Sequence, residues 1–281
     1  HLSEANLYRR PEGMDEAQYC DHLVAELEAT IAEIGADNIA AFIAEPIMGA
    51  GGVLVAPRGY HARMQEVLRA HDILYIADEV VTGFGRLGHI FASEAVFDTQ
   101  PDVINLAKGL SSGYAPLGAT LISDRLYEVL GTPQGKGGVL STGFTYSGHP
   151  VSCAAALKNI EILEREELCA NVREVGPYLE QALATLSRHP TVGDVRGSHF
   201  MMCIENVADK DTKALFPVDA RVGDRVAFEA QQRGLIIRPV GHLNVISPPL
   251  IWTRDTVDEA VAILDEALAA TAESLRRDGY L

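Results

Sequence analysis

The chain has 281 residues, 47% of them hydrophobic and 22% charged, which is enough to bury a full-sized core or two domains. Its formal charge of −16 argues against nucleic acid and anionic membrane surfaces, whose phosphates would be repelled. The longest apolar runs fall well short of the ~20 residues that cross a bilayer, and "HLSEANLYRR" at the front has no signal-peptide core.

The four cysteines, Cys20, Cys153, Cys169 and Cys203, contain no CxxC pair, so neither a zinc knuckle nor a disulfide framework is indicated and no metal is expected. A reducing cytoplasm is the expected compartment. The chain begins with His1 rather than Met, and the reading is of a sequence that starts partway through a longer product.

In chain order, "DEAQYCDHLVAELEATIAEI" places Leu23, Val24, Leu27, Ile31 and Ile34 at helical spacing behind acidic residues, an amphipathic helix. "NIAAFIAEP" then reads as a buried strand stopped by Pro46. A second helix is expected from Pro57 to about Ala70, followed by a strand at "ILYIADEV", residues Ile73 to Val80. After a glycine-rich passage, "DVINLAK" and "GATLISD" add two more apolar runs. Strands without alternation, two of them preceded by helices, point to an α/β fold whose mainly parallel sheet is covered on both faces.

From Pro150 a helical region extends to about Ser187 with a break near Glu166. "TVGDVRGSHFMMCIEN", "GLIIRPV" and "HLNVIS" are then short strand candidates. A last helix starts near Thr253 with Val257, Val261, Leu264 and Leu268 on one face. The expected division is residues 1–164 as part of a large domain and 165–281 as a smaller α+β domain.

Two motifs resemble nucleotide sites and fail on context. "ILYIADE" looks like the acidic strand of an ATPase, yet "GTPQGKGG" (Gly131 to Gly138) is one residue short, has Gly137 where Ser or Thr is required, and follows the strand instead of preceding it. "GFGRLG" (Gly83 to Gly88) matches G-x-G-x-x-G, but the strand has already ended at Asp78–Glu79 and "HIFASEAVF" shows no obvious helix, so a plain loop is expected.

Asp78 and Lys108 each end a run expected to be a parallel strand. Ligands of open α/β sheets bind at that edge, so an acid and an amine can face one cavity, with Gly83, Gly85, Gly109 and Gly113 leaving room for close approach. Taken alone, Lys108 has a bland explanation as a strand-end lysine reaching solvent. An amine able to form a Schiff base, beside an acid able to keep a ring nitrogen protonated, is the pair that pyridoxal-phosphate chemistry needs.

"FIAEPIMGAGG", "ILYIADEVVTGFGRLG", "VINLAKGLSSGYAPLGA", "GFTYSGHPVSCAAALKNIEIL" and "RPVGHLNVISPPL" together resemble the class III (ω-) aminotransferases, from about Asn38 to the last helix. The resemblance implies fold type I, with the front of the family fold absent from this chain, and a soluble homodimer with shared active sites. By the same resemblance Lys108 carries the Schiff base, Asp78 bonds the pyridine nitrogen, and Val80 packs on the cofactor ring. Thr145 reaches the cofactor phosphate of the neighbouring subunit, and Glu45 stands near the site as a supporting carboxylate. Arg238 corresponds to the mobile arginine of amine:pyruvate and β-alanine:pyruvate members, which meets a substrate carboxylate. Ala50 and Val245 stand where ornithine and γ-aminobutyrate members carry a glutamate and an arginine.

The implied reaction moves an amino group from a primary amine, diamine or ω-amino acid to a keto acid, with pyruvate expected over 2-oxoglutarate. An aminomutase or racemase of the same fold, or a non-catalytic binding domain that kept the fold, stays open. The phosphate-binding loop and the ring-stacking aromatic residue of the family have no counterpart in these residues.

Overall fold

The computed structural model describes residues 1–131 and 142–281. The "GTPQGKGG" stretch therefore lies, beyond Gly131, outside the described residues. In chain order the elements are α1 (Glu16–Ile34), β1 (Ala41–Ala44), β2 (Ile47–Met48), β3 (Leu54–Val55), α2 (Tyr60–Ala70), β4 (Leu74–Asp78), α3 (Ala92–Phe97), β5 (Val103–Leu106), β6 (Ala119–Ile122), α4 (Asp124–Gly131), α5 (Pro150–Arg165), α6 (Leu168–Ala184), β7 (Val192–Ser198), β8 (Met201–Asn206), α7 (Val222–Gln232), β9 (Arg238–Val240), β10 (Leu243–Ile246) and α8 (Arg254–Arg277). They form two compact units. The first is His1–Pro46, Ala56–Gly85 and His89–Glu167; the second is Ile47–Val55, Arg86–Gly88 and Leu168–Leu281.

In the first unit α1 begins with a reciprocal cap: Gln18 N–H donates to the Asp15 carboxylate at 2.8 Å and Asp15 N–H to the Gln18 side chain at 3.0 Å. The helix stops at Gly35, whose φ of +85° lies where a side chain is strained. α2 starts at Tyr60 rather than Pro57, because Gly59 at φ +79° turns the chain just before it.

The sheet of this unit runs β1-β4-β5-β6. The first three strands are parallel and β6 is antiparallel to β5, so the sheet is mainly parallel as expected. Leu23, Leu27 and Ile31 of α1 and Met64 and Leu68 of α2 pack in one cluster with Ile73 and Tyr75. Covering of both faces is not met among the described residues: Ile43 is 57% exposed and Leu121 43%. Burial in β4 alternates, with Tyr75 and Ala77 inside, which is what cover on a single face produces.

"HIFASEAVF" contradicts the sequence expectation, since Ala92–Phe97 is helical. Phe91 offers no local cap, and the free N–H groups at the helix start are instead met by a carboxylate thirteen residues earlier, as described below. The helical region from Pro150 is two helices, broken where Glu167 takes φ +51°.

The second unit is an antiparallel sheet of order β7-β8-β10-β9. β8 is buried at every position, and Phe200, Met202 and Ile204 share a core with Leu179 and Leu183 of α6, Val226 of α7 and Val257, Leu264 and Leu268 of α8. α8 starts where expected, with Thr256 N–H donating to Thr253 Oγ1 at 3.4 Å. α7 has no side-chain cap, its preceding residue being Arg221 at φ +47°, and so carries no start signal in the sequence.

The β2–β3 hairpin belongs to this unit through Arg196, whose Nε donates to the Gly52 carbonyl at 2.8 Å while Nη1 donates to Glu205 at 2.6 Å and Asp194 at 3.0 Å. "GFGRLG" is a loop, as expected. Its Arg86 donates to the carbonyls of Phe200 (3.1 Å) and Pro248 (2.6 Å), and burial lowers its pKa to about 10, which leaves it charged at neutral pH.

Candidate active site

Three ionisable residues gather at the carboxyl edge of the parallel strands. Ala44 pairs with Ala77, so Glu45 follows β1 at the level where Asp78 ends β4. Asp78 in turn pairs with Asn105, and Lys108 lies three residues beyond that partner, just past the end of β5. Parallel pairing therefore brings the acid and the amine to one edge, which their separation in sequence does not require.

Asp78 Oδ1 accepts from Val80 N–H at 3.0 Å, a two-residue side-chain turn that fixes Val80 relative to the carboxylate. The other oxygen, Oδ2, has no protein donor among the described residues. Lys108 is exposed, and its amine makes neither a hydrogen bond nor an ion pair among the described residues. An amine and a half-free carboxylate are what a pyridine aldehyde requires of a protein, so this donor set fits pyridoxal phosphate.

Glu79 was not singled out by the sequence, although it is the second acid of "ADE" and fully buried. Its carboxylate accepts from Ala92 N–H (2.7 Å), Ser93 N–H (2.8 Å), Ser93 O–H (2.6 Å) and Thr82 O–H (3.2 Å). Its own N–H donates to the Asn105 carbonyl at 3.0 Å. One residue thus caps α3, closes the loop after β4 and stitches β4 to β5 beside Asp78. Strand alternation is the signal that could have found it: Asp78 and Glu79 must point to opposite faces.

His61 supports the Glu45 end of the same edge. Its Nε2–H donates to the Pro46 carbonyl at 3.0 Å, since a carbonyl only accepts, and its Nδ1 therefore accepts from the Tyr75 hydroxyl at 3.0 Å. Burial lowers the His61 pKa to about 4, so the ring is neutral at physiological pH. Burial also raises the Tyr75 hydroxyl, which stays a donor.

Thr145 stands in a turn closed by Ser147 N–H donating to the Phe144 carbonyl at 2.9 Å, and both the residue and its neighbours are exposed. Arg238 belongs to the second unit, where it opens β9 with an exposed guanidinium that has no partner among the described residues. Across the ladder it faces Val245. Ala50 is exposed in the turn between β2 and β3. No cluster of metal-ligating side chains occurs among the described residues, and no helix there is long and apolar enough to cross a membrane.

The model of the class III aminotransferase family matches residues 3–268. An uncharacterized aminotransferase of Sinorhizobium fredii is 43% identical over 270 residues, which are 95% of this chain and 58% of that protein. The diaminobutyrate–2-oxoglutarate transaminase of Halomonas elongata is 43% identical over 96% of this chain and 58% of its own length. Among solved structures, an (S)-enantioselective ω-transaminase from Thermomicrobium roseum superposes with a TM-score of 0.91 at 42% identity, covering 96% of this chain and 60% of that one. A thermostable ω-transaminase mutant from Pseudomonas jessenii gives 0.90 at 39% identity, with 98% and 61% covered. The chain spans 58% of the length of these two curated relatives. On sequence and on fold, it belongs to the class III aminotransferases.

Proposed function

We propose that this protein is a pyridoxal-phosphate-dependent transaminase that moves an amino group from a primary amine, diamine or ω-amino acid to a keto acid, with pyruvate as the acceptor. The observation that carries the reading is the amine of Lys108, without a partner among the described residues, at the same sheet edge as the Asp78 carboxylate, whose Oδ2 has no donor among them. When bound, pyridoxal phosphate supplies an aldehyde that condenses with amines and a ring that withdraws electrons from the bond to be broken.

In this reading Lys108 Nζ would hold the cofactor, and the same amine would serve as general base and then general acid, taking and returning a proton. Asp78 Oδ2 would be the acceptor for a protonated ring nitrogen, and Val80, fixed by the Asp78 turn, would pack against the ring. Glu45 is the supporting carboxylate. Arg238 receives a substrate carboxylate through the two-pronged geometry of its guanidinium. Residues 1–164 are the portion of the large domain that holds the cofactor, and 165–281 the small domain.

Thr145 serves the phosphate held by a second copy, which makes a homodimer part of the proposal. Support comes from its aromatic neighbours, Phe144 and Tyr146, which are 86% and 79% exposed. Pyruvate is favoured because Ala50 and Val245 offer no charge to the second carboxylate of 2-oxoglutarate. The Halomonas relative is named for 2-oxoglutarate, so acceptor choice is an experiment.

Borohydride reduction followed by digestion tests the core of the reading. A peptide bearing Lys108 should gain the mass of the reduced cofactor adduct, and its absence would refute the assignment. A donor panel run with each acceptor should show turnover that depends on added keto acid and favours pyruvate.

A further inference from the structure

Lys108 has a backbone φ of +37°, outside the region that residues with a Cβ normally occupy. Such a conformation persists only where the surroundings impose it. Two features of the first unit do so. From one side Asn159, on α5, donates its side-chain amide to the carbonyls of Gly109 at 2.8 Å and Leu110 at 3.1 Å, the two residues that follow Lys108. From the other, Gly109 lies so close to Phe84 that an added Cβ would come within 2.9 Å of the Phe84 Cβ and 3.3 Å of the Gly83 carbonyl. Phe84 cannot give way easily, being 5% exposed and packed edge-on against Phe91 with ring centroids 6.1 Å apart.

Between these walls Lys108–Leu110 forms one tight helical turn, with Leu110 N–H donating to the Ala107 carbonyl at 2.9 Å and Ser111 N–H to the Lys108 carbonyl at 3.2 Å. The backbone angle at Lys108 sets the direction of its Cα–Cβ bond, and with it the origin of a long side chain whose amine has no partner among the described residues.

We infer that Asn159 is a positioning residue for Lys108, its amide clamping the Gly109 and Leu110 carbonyls so that the lysine keeps its left-handed backbone and its amine a defined starting point. This rests on the transaminase reading for the role of the amine, while the clamp itself is independent of it. The chemistry is sensitive to such control, because misplacing a reacting group by about 1 Å can cost on the order of a hundredfold in rate.

The test compares Asn159→Ala and Asn159→Asp, the latter keeping the shape while facing an acceptor toward two acceptors. Both should lower kcat roughly ten- to hundredfold with KM for the amine donor within about twofold, as expected of a defect in the reacting group and not in binding. In a Lys108→Ala background rescued by methylamine, Asn159→Ala should no longer change the rate, since the side chain it positions is gone. An equal loss in the rescued enzyme would mean a general structural role and overturn the inference, as would an unchanged kcat. Amide exchange at Leu110 and Ser111 reads the clamp without activity: it should quicken in both variants, and unchanged exchange would refute the clamp. If unaltered protein gave no borohydride adduct at Lys108, the transaminase reading would fail, and the exchange result would still decide the clamp.

Discussion

Arg238 on β9 and Val245 on β10 are direct partners across an antiparallel ladder. Directly opposed residues stand on the same face with their Cβ atoms about 5 Å apart. The position proposed to receive a substrate carboxylate and the position where an arginine is absent are therefore neighbours, and a single side-chain change at 245 alters the charge beside Arg238.

Replacing Arg238 with Ala is expected to raise KM for a keto-acid acceptor by about tenfold to a hundredfold, the equivalent of a charge-assisted pair. KM for an amine donor lacking a carboxylate should stay unchanged. Val245→Arg should improve 2-oxoglutarate as acceptor relative to pyruvate. Steady-state kinetics with both acceptors measures each outcome, and a preference unmoved by Val245→Arg would count against the assignment of this pair.

Lys108→Ala should abolish turnover, and Asp78→Asn should retain some bound cofactor but react very slowly, because a neutral amide no longer favours the protonated ring nitrogen. Absorbance of the bound cofactor and kcat, read together, separate loss of binding from loss of chemistry.

Acid should weaken the first unit through His61. Its folded pKa of about 4 lies below its ordinary 6.5, so the unfolded chain binds the extra proton and stability falls as pH drops from 6.5 towards 4. The contribution attributable to this residue is on the order of 3 kcal/mol, present in full above pH 6.5 and lost by about pH 4. Urea midpoints at pH 7.5 and 5 should differ less in His61→Gln than in the unaltered protein; equal differences would show that the imidazole binds its proton as readily in the folded state as in the unfolded.

Glu79→Ala removes the acceptor shared by the Ala92 and Ser93 N–H groups. Leaving buried donors unpaired should cost about 2–4 kcal/mol. Denaturant midpoints measure the loss, and amide exchange across α3 should show that helix fraying first.

Cys203 is fully buried, and burial pushes its thiol up to about 12. It should resist maleimide in the native state at pH 7.5 and react once the protein is unfolded. Rapid native labelling, located by mass spectrometry, would show that β8 opens on the timescale of the reaction.

What the sequence determined by itself were features written into near neighbours. Asp15 and Gln18 cap α1 three residues apart, Thr253 starts α8, Glu166–Glu167 breaks the helical region, and the apolar runs ending at Asp78 and Lys108 are strands or their immediate continuation. The pairing that carries the acid and the amine to one edge was anticipated, because parallel strands present their carboxyl ends together.

Only the tertiary structure decided which distant groups met. Glu79 caps a helix that no local residue starts, His61 ties Tyr75 to Pro46, and Asn159 grips the turn after Lys108 from fifty residues away. Arg196 likewise holds Gly52 across 144 positions. Local spacing records caps and faces because helices and strands repeat every few residues. A buried hydrogen bond between remote segments has no such period, and it exists only once packing has excluded water and left each donor a single acceptor to choose.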